Sequence, residues 1–63
     1  MYTEVRFFPD ETAQIEQYEG GQLVNRKTCL HAGRVMVWMV KQGREWIWHK
    51  DLDTGDEIAV MEE

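Results

Sequence analysis

The sequence predicts a small all-β domain, a meander or partly open barrel of five to six short antiparallel strands. Two observations lead to this prediction. Glycines and the proline divide the chain into segments of about eight to twelve residues, the usual spacing of short strands joined by turns. Several segments also alternate apolar with polar residues. With 63 residues and 43% hydrophobic positions, we expect one domain spanning residues 1–63.

The N-terminal segment has the pattern of a half-buried strand. Residues 2–8 alternate β-branched or aromatic side chains with charged ones, a period of two. Residues 9–11 then predict a turn, because Pro9 presets its backbone dihedral and Asp10 tolerates the next position.

The second segment is ambiguous. Ile15 and Tyr18 lie three residues apart, as they would on one face of a short helix at residues 11–19. The same residues alternate as a strand would and lead through two glycines into the next apolar residues, as in a hairpin. We favour the strand. Residues 22–31 predict a third strand whose centre is exposed or bulged.

The clearest hairpin signal lies in the second half of the chain. The segments 34–41 and 44–50 are rich in Val, Met and Trp and flank Gln42-Gly43, the length of a two-residue hairpin loop. After a turn at residues 51–56, a short final strand is predicted at residues 57–61.

This predicted hairpin is apolar on both of its faces. If Lys41 lies opposite Arg44, one face carries Met39, Trp46 and Trp48, and the other carries Met36, Trp38 and Ile47. An antiparallel hairpin with one solvated face alternates apolar and polar residues instead. We therefore expect something to cover the second face.

A partner chain is the expected source of that cover. A domain this small usually needs a disulfide, a metal or a partner to be stable. Cys29 is the sole cysteine, which excludes an intramolecular disulfide, and together with His31 and His49 it lacks the paired spacing of a zinc site. The sequence thus predicts no cofactor or metal, and a homodimer or higher homo-oligomer or a complex with another protein.

The chain has no segment typical of membrane insertion or export. Residues 1–11 contain acids within their apolar stretch, unlike a signal peptide. The longest apolar run, Val35 to Val40, is six residues, far below the roughly 20 of a membrane span. We expect a cytoplasmic protein without a membrane partner.

Charge is distributed in three blocks. Residues 1–19 carry −4, residues 20–50 carry +5, and residues 51–63 carry −6, for a net charge of −5. Trp46 and Trp48 lie within the basic block, as in aromatic platforms that stack single-stranded nucleic acids. Such binding is the alternative function, although an acidic chain repels phosphate overall.

Catalytic patterns do not fit. The acidic segment 51–57 lacks the ligand spacing of a calcium loop. Residues 53–55 spell the Asp-Thr-Gly triplet of aspartic proteases, but that enzyme needs two such loops in a much larger structure. Cys29 and His31 have no third orienting group, so Cys29 is interpreted as a half-buried structural thiol. The sequence predicts a protein that is not an enzyme.

The remaining function class is a non-enzymatic protein-binding module, such as a small acidic inhibitor or adaptor that blocks a site on a larger protein. Aromatic and Met side chains of the kind found at interface centres are concentrated at residues 34–50. The predicted partner-binding residues are Arg34, Met36, Trp38, Lys41, Arg44, Trp46, Ile47, Trp48 and His49. The acidic ends of the chain are expected to steer it toward a basic partner.

Overall fold

The computed structural model describes residues 1–62 as a five-stranded antiparallel sheet with one helix packed against one side. The elements, in chain order, are β1 (Tyr2–Phe7), β2 (Ala13–Glu19), β3 (Gln22–Cys29), α1 (Ala32–Lys41), β4 (Ile47–Lys50) and β5 (Glu57–Glu62). The strand order in space is β3-β2-β1-β5-β4. The fold is the predicted small antiparallel meander, open rather than closed into a barrel.

The first half of the chain confirms the predicted strands and turn. Residues 13–19 form a strand that pairs with both β1 and β3, so the alternative helix at residues 11–19 is absent. This choice follows from burial, since Ala13 on the alternating pattern is fully buried beneath α1. The centre of β3 is exposed, as predicted, but so is nearly all the rest of the strand. The register between β2 and β3 shifts beside Tyr18.

The predicted hairpin from Arg34 to Lys50 is wrong in its first arm, which forms α1. Gly43, read as part of a hairpin turn, instead ends the helix with a positive φ of 62°. Its N–H donates to the carbonyl oxygen of Val40 at 3.2 Å. Both a two-residue hairpin loop and a helix end favour a glycine in this conformation. Gly43 therefore marks the end of an element, but it does not distinguish a hairpin loop from the end of a helix.

Helical spacing explains why α1 packs as it does. Val35 and Met39 lie four residues apart and are both buried against the sheet, with Ala32 one turn earlier. Because residues 35–40 are all apolar, the sequence does not show this helical period. Within residues 1–62, no helix is long and apolar enough to cross a membrane.

The second arm of the predicted hairpin is a strand, but with a different partner. Residues 47–50 pair with residues 57–60 of β5 across the turn at 51–56. β4 is consequently an edge strand, and α1 lies over the sheet rather than beside β4 in it. The predicted turn and final strand are confirmed.

The core lies between α1 and the middle of the sheet. Val5 and Ala59 face Val35 and Met39 of the helix, and all four are at most 3% exposed. Partly buried Phe7 packs against this cluster from the sheet. We call this side of the sheet the helix side and the opposite side the open face. The core is small because α1 has only ten residues to cover five strands.

The open face is held by aromatic and ionic cross-strand pairs. Tyr2 of β1 and Tyr18 of β2 stack with ring centroids 4.7 Å apart. On the neighbouring strands, Arg26 donates to Glu16 through Nη2 at 2.7 Å. Arg6 donates to Asp56 at 2.8 Å. Arg6 and Arg26, the two cations of the open face, are thus paired within the chain.

Tyr18 provides a test of this face. Desolvation raises the pKa of Tyr18, and the carboxylates of Glu16 and Glu4 raise it further. A raised pKa in the folded state gives stability that is fully present below about pH 10 and is lost as pH rises through the folded pKa. We expect Tyr18→Phe to keep the stack and to lose stability less steeply than the wild type between pH 9 and 11. Urea unfolding at each pH measures this difference, and parallel curves would contradict it.

Candidate functional site

The predicted partner-binding residues lie on three neighbouring parts of the fold. Those on α1 are Arg34, Met36, Trp38 and Lys41; those in the following loop are Arg44 and Trp46; and those on β4 are Ile47, Trp48 and His49. Four of them line one groove: Met36, Arg44, Trp46 and Trp48. Arg34 and Trp38 line a second groove, on the other side of α1. It does not assemble all nine into one site.

The first groove runs between α1 and the edge strand β4 on the helix side. It has a volume of about 330 Å³ and is lined by Met36, Met39, Val40, Arg44, Trp46 and Trp48. We call it the α1–β4 groove. Helical spacing places Met36 and Val40 one turn apart on the same side of α1. The lining is apolar except for the one guanidinium group.

Aromatic contacts hold the far wall of the α1–β4 groove in place. The indole N–H of Trp46 donates to the carbonyl oxygen of Met39 at 3.4 Å, and its ring lies tilted against Trp38 at 6.1 Å. Trp48 stacks on Phe7 with centroids 5.7 Å apart. These contacts hold the rings of Trp46 and Trp48 in place, which lowers the entropic cost of binding a ligand against them.

Large apolar side chains remain exposed along the rim of this groove. Met36 is 45% exposed, Trp48 46% and Val40 79%. Val37 continues the same surface along α1 and is also exposed. Uncovered apolar surface is expected from the sequence at residues 34–50. The surface exists, but it belongs to the outer side of a helix and not to the second face of a hairpin.

The structure sorts the basic residues by side of the sheet. Arg6 and Arg26 form ion pairs on the open face. The other five of the seven have no carboxylate within 4.0 Å among residues 1–62: Lys27, Arg34, Lys41, Arg44 and Lys50. These five belong to α1, to the loop after it, or to outer strands at positions on the helix side. The cations without an ion pair are thus concentrated on the helix side, where Lys50 lies opposite Glu57.

The two-tryptophan platform expected on the hairpin is not formed. Trp46 is half-buried through its hydrogen bond to the helix, whereas Trp48 lies on β4 with one ring face against Phe7. Ile47 and His49 alternate with Trp48 along β4 and lie toward the open face. A ligand on the helix side therefore meets Trp48 without these two residues.

The acidic turn at residues 51–56 is stabilised by its own backbone. The carboxylate of Asp51 accepts the N–H of Asp53 at 3.0 Å and that of Thr54 at 3.4 Å. The first of these hydrogen bonds is the main cause of the lowered pKa of Asp51. Within residues 1–62, no group of three metal-ligating side chains is present. The conformation of this turn follows from the hydrogen bonds to Asp51.

Cys29 is half-buried, in agreement with its interpretation as a structural thiol. Its Sγ contacts the carbonyl oxygen of His31 at 3.5 Å rather than the imidazole. The thiol of Cys29 is thus bonded to the backbone of His31.

Met39 and Val40 line the α1–β4 groove, and Lys27 lines the second groove, but none of them is among the predicted partner-binding residues. The spacing of Met36 and Val40 carried a helical signal, but the intervening valines favoured a strand. Lys27 lines a groove because of the topology, which sequence alone does not give. No protein-family model, curated protein or solved structure matches this chain, so its function is inferred from its own residues.

Proposed function

We propose that this protein is a non-enzymatic binding module that docks on another protein through the α1–β4 groove. The observation that supports this proposal is the exposed apolar surface of Met36, Val40 and Trp48 beside a groove with ordered walls. Apolar anchors that enter such a groove account for most of the energy in small interfaces. In this role the protein acts as an inhibitor or adaptor that occupies a site on a larger partner.

Charge determines the kind of partner. Arg44 lines the groove and forms no ion pair within residues 1–62. A partner with an apolar anchor surrounded by acidic residues complements this rim. An acidic partner replaces the expected basic one, because the groove lining contains Arg44 and no acidic side chain among the described residues.

A second copy of the chain is the competing occupant. In a dimer with two-fold symmetry the same patch meets itself, so Arg44 of one copy would approach Arg44 of the other. This repulsion disfavours self-association through the α1–β4 groove. Self-association through another surface stays a prediction.

Single-stranded nucleic acid is the second candidate ligand, since five basic residues without acidic partners share the helix side. Stacking supports it less well, because Trp48 offers one half-exposed ring where two were expected. Nucleic-acid affinity would fall steeply with salt, whereas an apolar anchor would bind with a weaker salt dependence.

Substitution of Val40 tests the proposal. The probe is a fluorescent amphipathic helix of about 14 residues, with leucines on one face and glutamates on the other. We expect micromolar binding by anisotropy, and Val40→Gln should weaken it by roughly tenfold because the substitution places a polar group in the contact. Val40 is 79% exposed, so the fold should be unaffected.

The matched control is Leu52→Gln. Leu52 is 87% exposed but lies in the turn at residues 51–56, away from the groove, so this variant should bind the probe like the wild type. A peptide with lysines in place of the glutamates should bind at least about tenfold more weakly. The proposal is refuted if both peptides bind equally, if Leu52→Gln weakens binding as much as Val40→Gln, or if oligonucleotide displaces the acidic peptide. If the wild type sediments as a dimer and Val40→Gln sediments as a monomer, the occupant of the groove is a second copy of the chain.

A further inference from the structure

A second groove lies on the other side of α1, over the strands that the helix leaves uncovered. It has a volume of about 430 Å³, within the range of small-molecule sites, and separates α1 from β2 and β3. We call it the α1–β3 groove. Ile15 and Val35 form an apolar floor. The groove exists because α1 packs over the middle of the sheet and does not reach the edge strand β3.

Two cations border this groove. Lys27 of β3 and Arg34 of α1 both line it, and neither has a carboxylate within 4.0 Å among residues 1–62. No acidic side chain is included in its lining as far as the described residues go. Arg34 also lines a neighbouring cavity with Asp10 and Glu11, but it forms no ion pair with either. The α1–β3 groove therefore presents two positive charges to an anion, in a chain of net charge −5. A guanidinium group is well suited to carboxylate or phosphate oxygens, which it can contact in pairs.

An aromatic wall and a pair of amides complete the groove. Trp38 lines it from α1, and the ring is supported from the other side by Trp46 at 6.1 Å. Asn25 donates from Nδ2 to Oε1 of Gln17 at 3.2 Å, a cross-strand pair on the helix side. Outside this bond, the amide pair keeps Oδ1 of Asn25 as an acceptor and Nε2 of Gln17 as a donor.

We propose that the α1–β3 groove binds a small molecule in which an aromatic ring carries a carboxylate or phosphate group. The ring would lie against Trp38 and the apolar floor, while the anion would contact Arg34 and Lys27. The amides of Gln17 and Asn25 would bond polar atoms on the edge of the ring. This site is separate from the α1–β4 groove, so each proposal can fail without the other.

The experiment is an NMR titration of the full ¹⁵N-labelled chain at low salt. Two probes distinguish the source of the anion: 2-naphthoate supplies a carboxylate, and adenosine 5′-monophosphate supplies a phosphate. We expect at least one of them to cause saturable shifts of the Trp38 indole N–H and of the Gln17 and Asn25 side-chain amides. The probe that binds identifies the anion, and binding of both means that the groove accepts either.

Variants and ligand controls make the test specific. Arg34→Gln and Lys27→Gln should each weaken binding by roughly tenfold, since each removes one charged hydrogen bond. Lys50→Gln makes the same charge change on β4, at the opposite edge of the sheet, and should leave binding unchanged. Arg34, Lys27 and Lys50 are all exposed, so these variants should fold.

Four results would overturn the proposal. They are the absence of saturable shifts with both probes, an equal loss of affinity in Lys50→Gln, equal binding of neutral naphthalene-2-methanol, and equal binding of inorganic phosphate. The last two would show that the charge or the ring is unnecessary.

Discussion

Replacing Met39 with alanine is expected to destabilise the domain by about 2–5 kcal/mol, the usual cost of truncating a buried methionine. Met39 is 3% exposed and joins α1 to the sheet in a core cluster with Val5 and Ala59. Total stability for a chain of this length is roughly 3–9 kcal/mol. The substitution should therefore remove a large part of the free energy of unfolding. It also removes a lining residue of the α1–β4 groove.

Val40→Ala is the matched control for this prediction. Val40 is adjacent in α1 but 79% exposed, so its truncation should change stability by no more than about 0.5 kcal/mol. Urea unfolding followed by circular dichroism measures both variants. An equal effect of the two substitutions would mean that α1 is not docked through Met39. A large loss in Met39→Ala alone would show that the helix contributes to global stability.

The strands of the first half could be predicted because their pattern and their burial agree. In β1 the residues Thr3, Val5 and Phe7 alternate with polar ones, and the structure puts the alternating set on the helix side. The same reasoning selected the strand at residues 13–19. Local alternation suffices wherever one face of a strand is buried and the other is solvated.

The helix could not be predicted in the same way because residues 35–40 contain no polar residue to mark its outer side. A continuous apolar run of this length fits either structure, and its valines favour a strand. Tertiary packing decides between them, since α1 buries Val35 and Met39 together on the open sheet. The excess apolar surface that sequence analysis identified is what made the secondary structure ambiguous.

The candidate grooves depended on topology even more strongly. Trp46 and Trp48 lie at an apolar surface, as expected, but the residues beside them belong to a helix and not to the predicted strand. Lys27 and Arg34 are close in the fold because β3 is an edge strand beside a helix that stops short of it. No spacing rule in the sequence relates these two residues.

Replacing Arg6 with methionine is expected to cost about 2–4 kcal/mol, because it leaves a buried carboxylate without its partner. Nη1 of Arg6 donates to Oδ2 of Asp56 at 2.8 Å, and the Asp56 residue is 5% exposed. The same Nη1 lies 3.6 Å from Oδ2 of Asp51. Arg6 therefore joins the central strand β1 to both ends of the turn that connects β4 with β5. Lys50→Met, which removes an exposed cation without an ion pair within residues 1–62, should cost no more than about 0.5 kcal/mol.

A double variant separates the effect of charge from that of packing. Arg6→Met combined with Asp56→Asn removes the unpaired carboxylate, so it should be more stable than Arg6→Met alone, although still less stable than the wild type. Urea unfolding of the wild type, both single variants and the double variant gives the coupling energy. If the double variant is as unstable as the sum of the two single ones, the ion pair contributes nothing. Arg6 would then act through the packing of its alkyl chain across the open face. Recovery in the double variant would instead show that the charge on Asp56 needs Arg6, and that the turn at residues 51–56 is held to the sheet electrostatically.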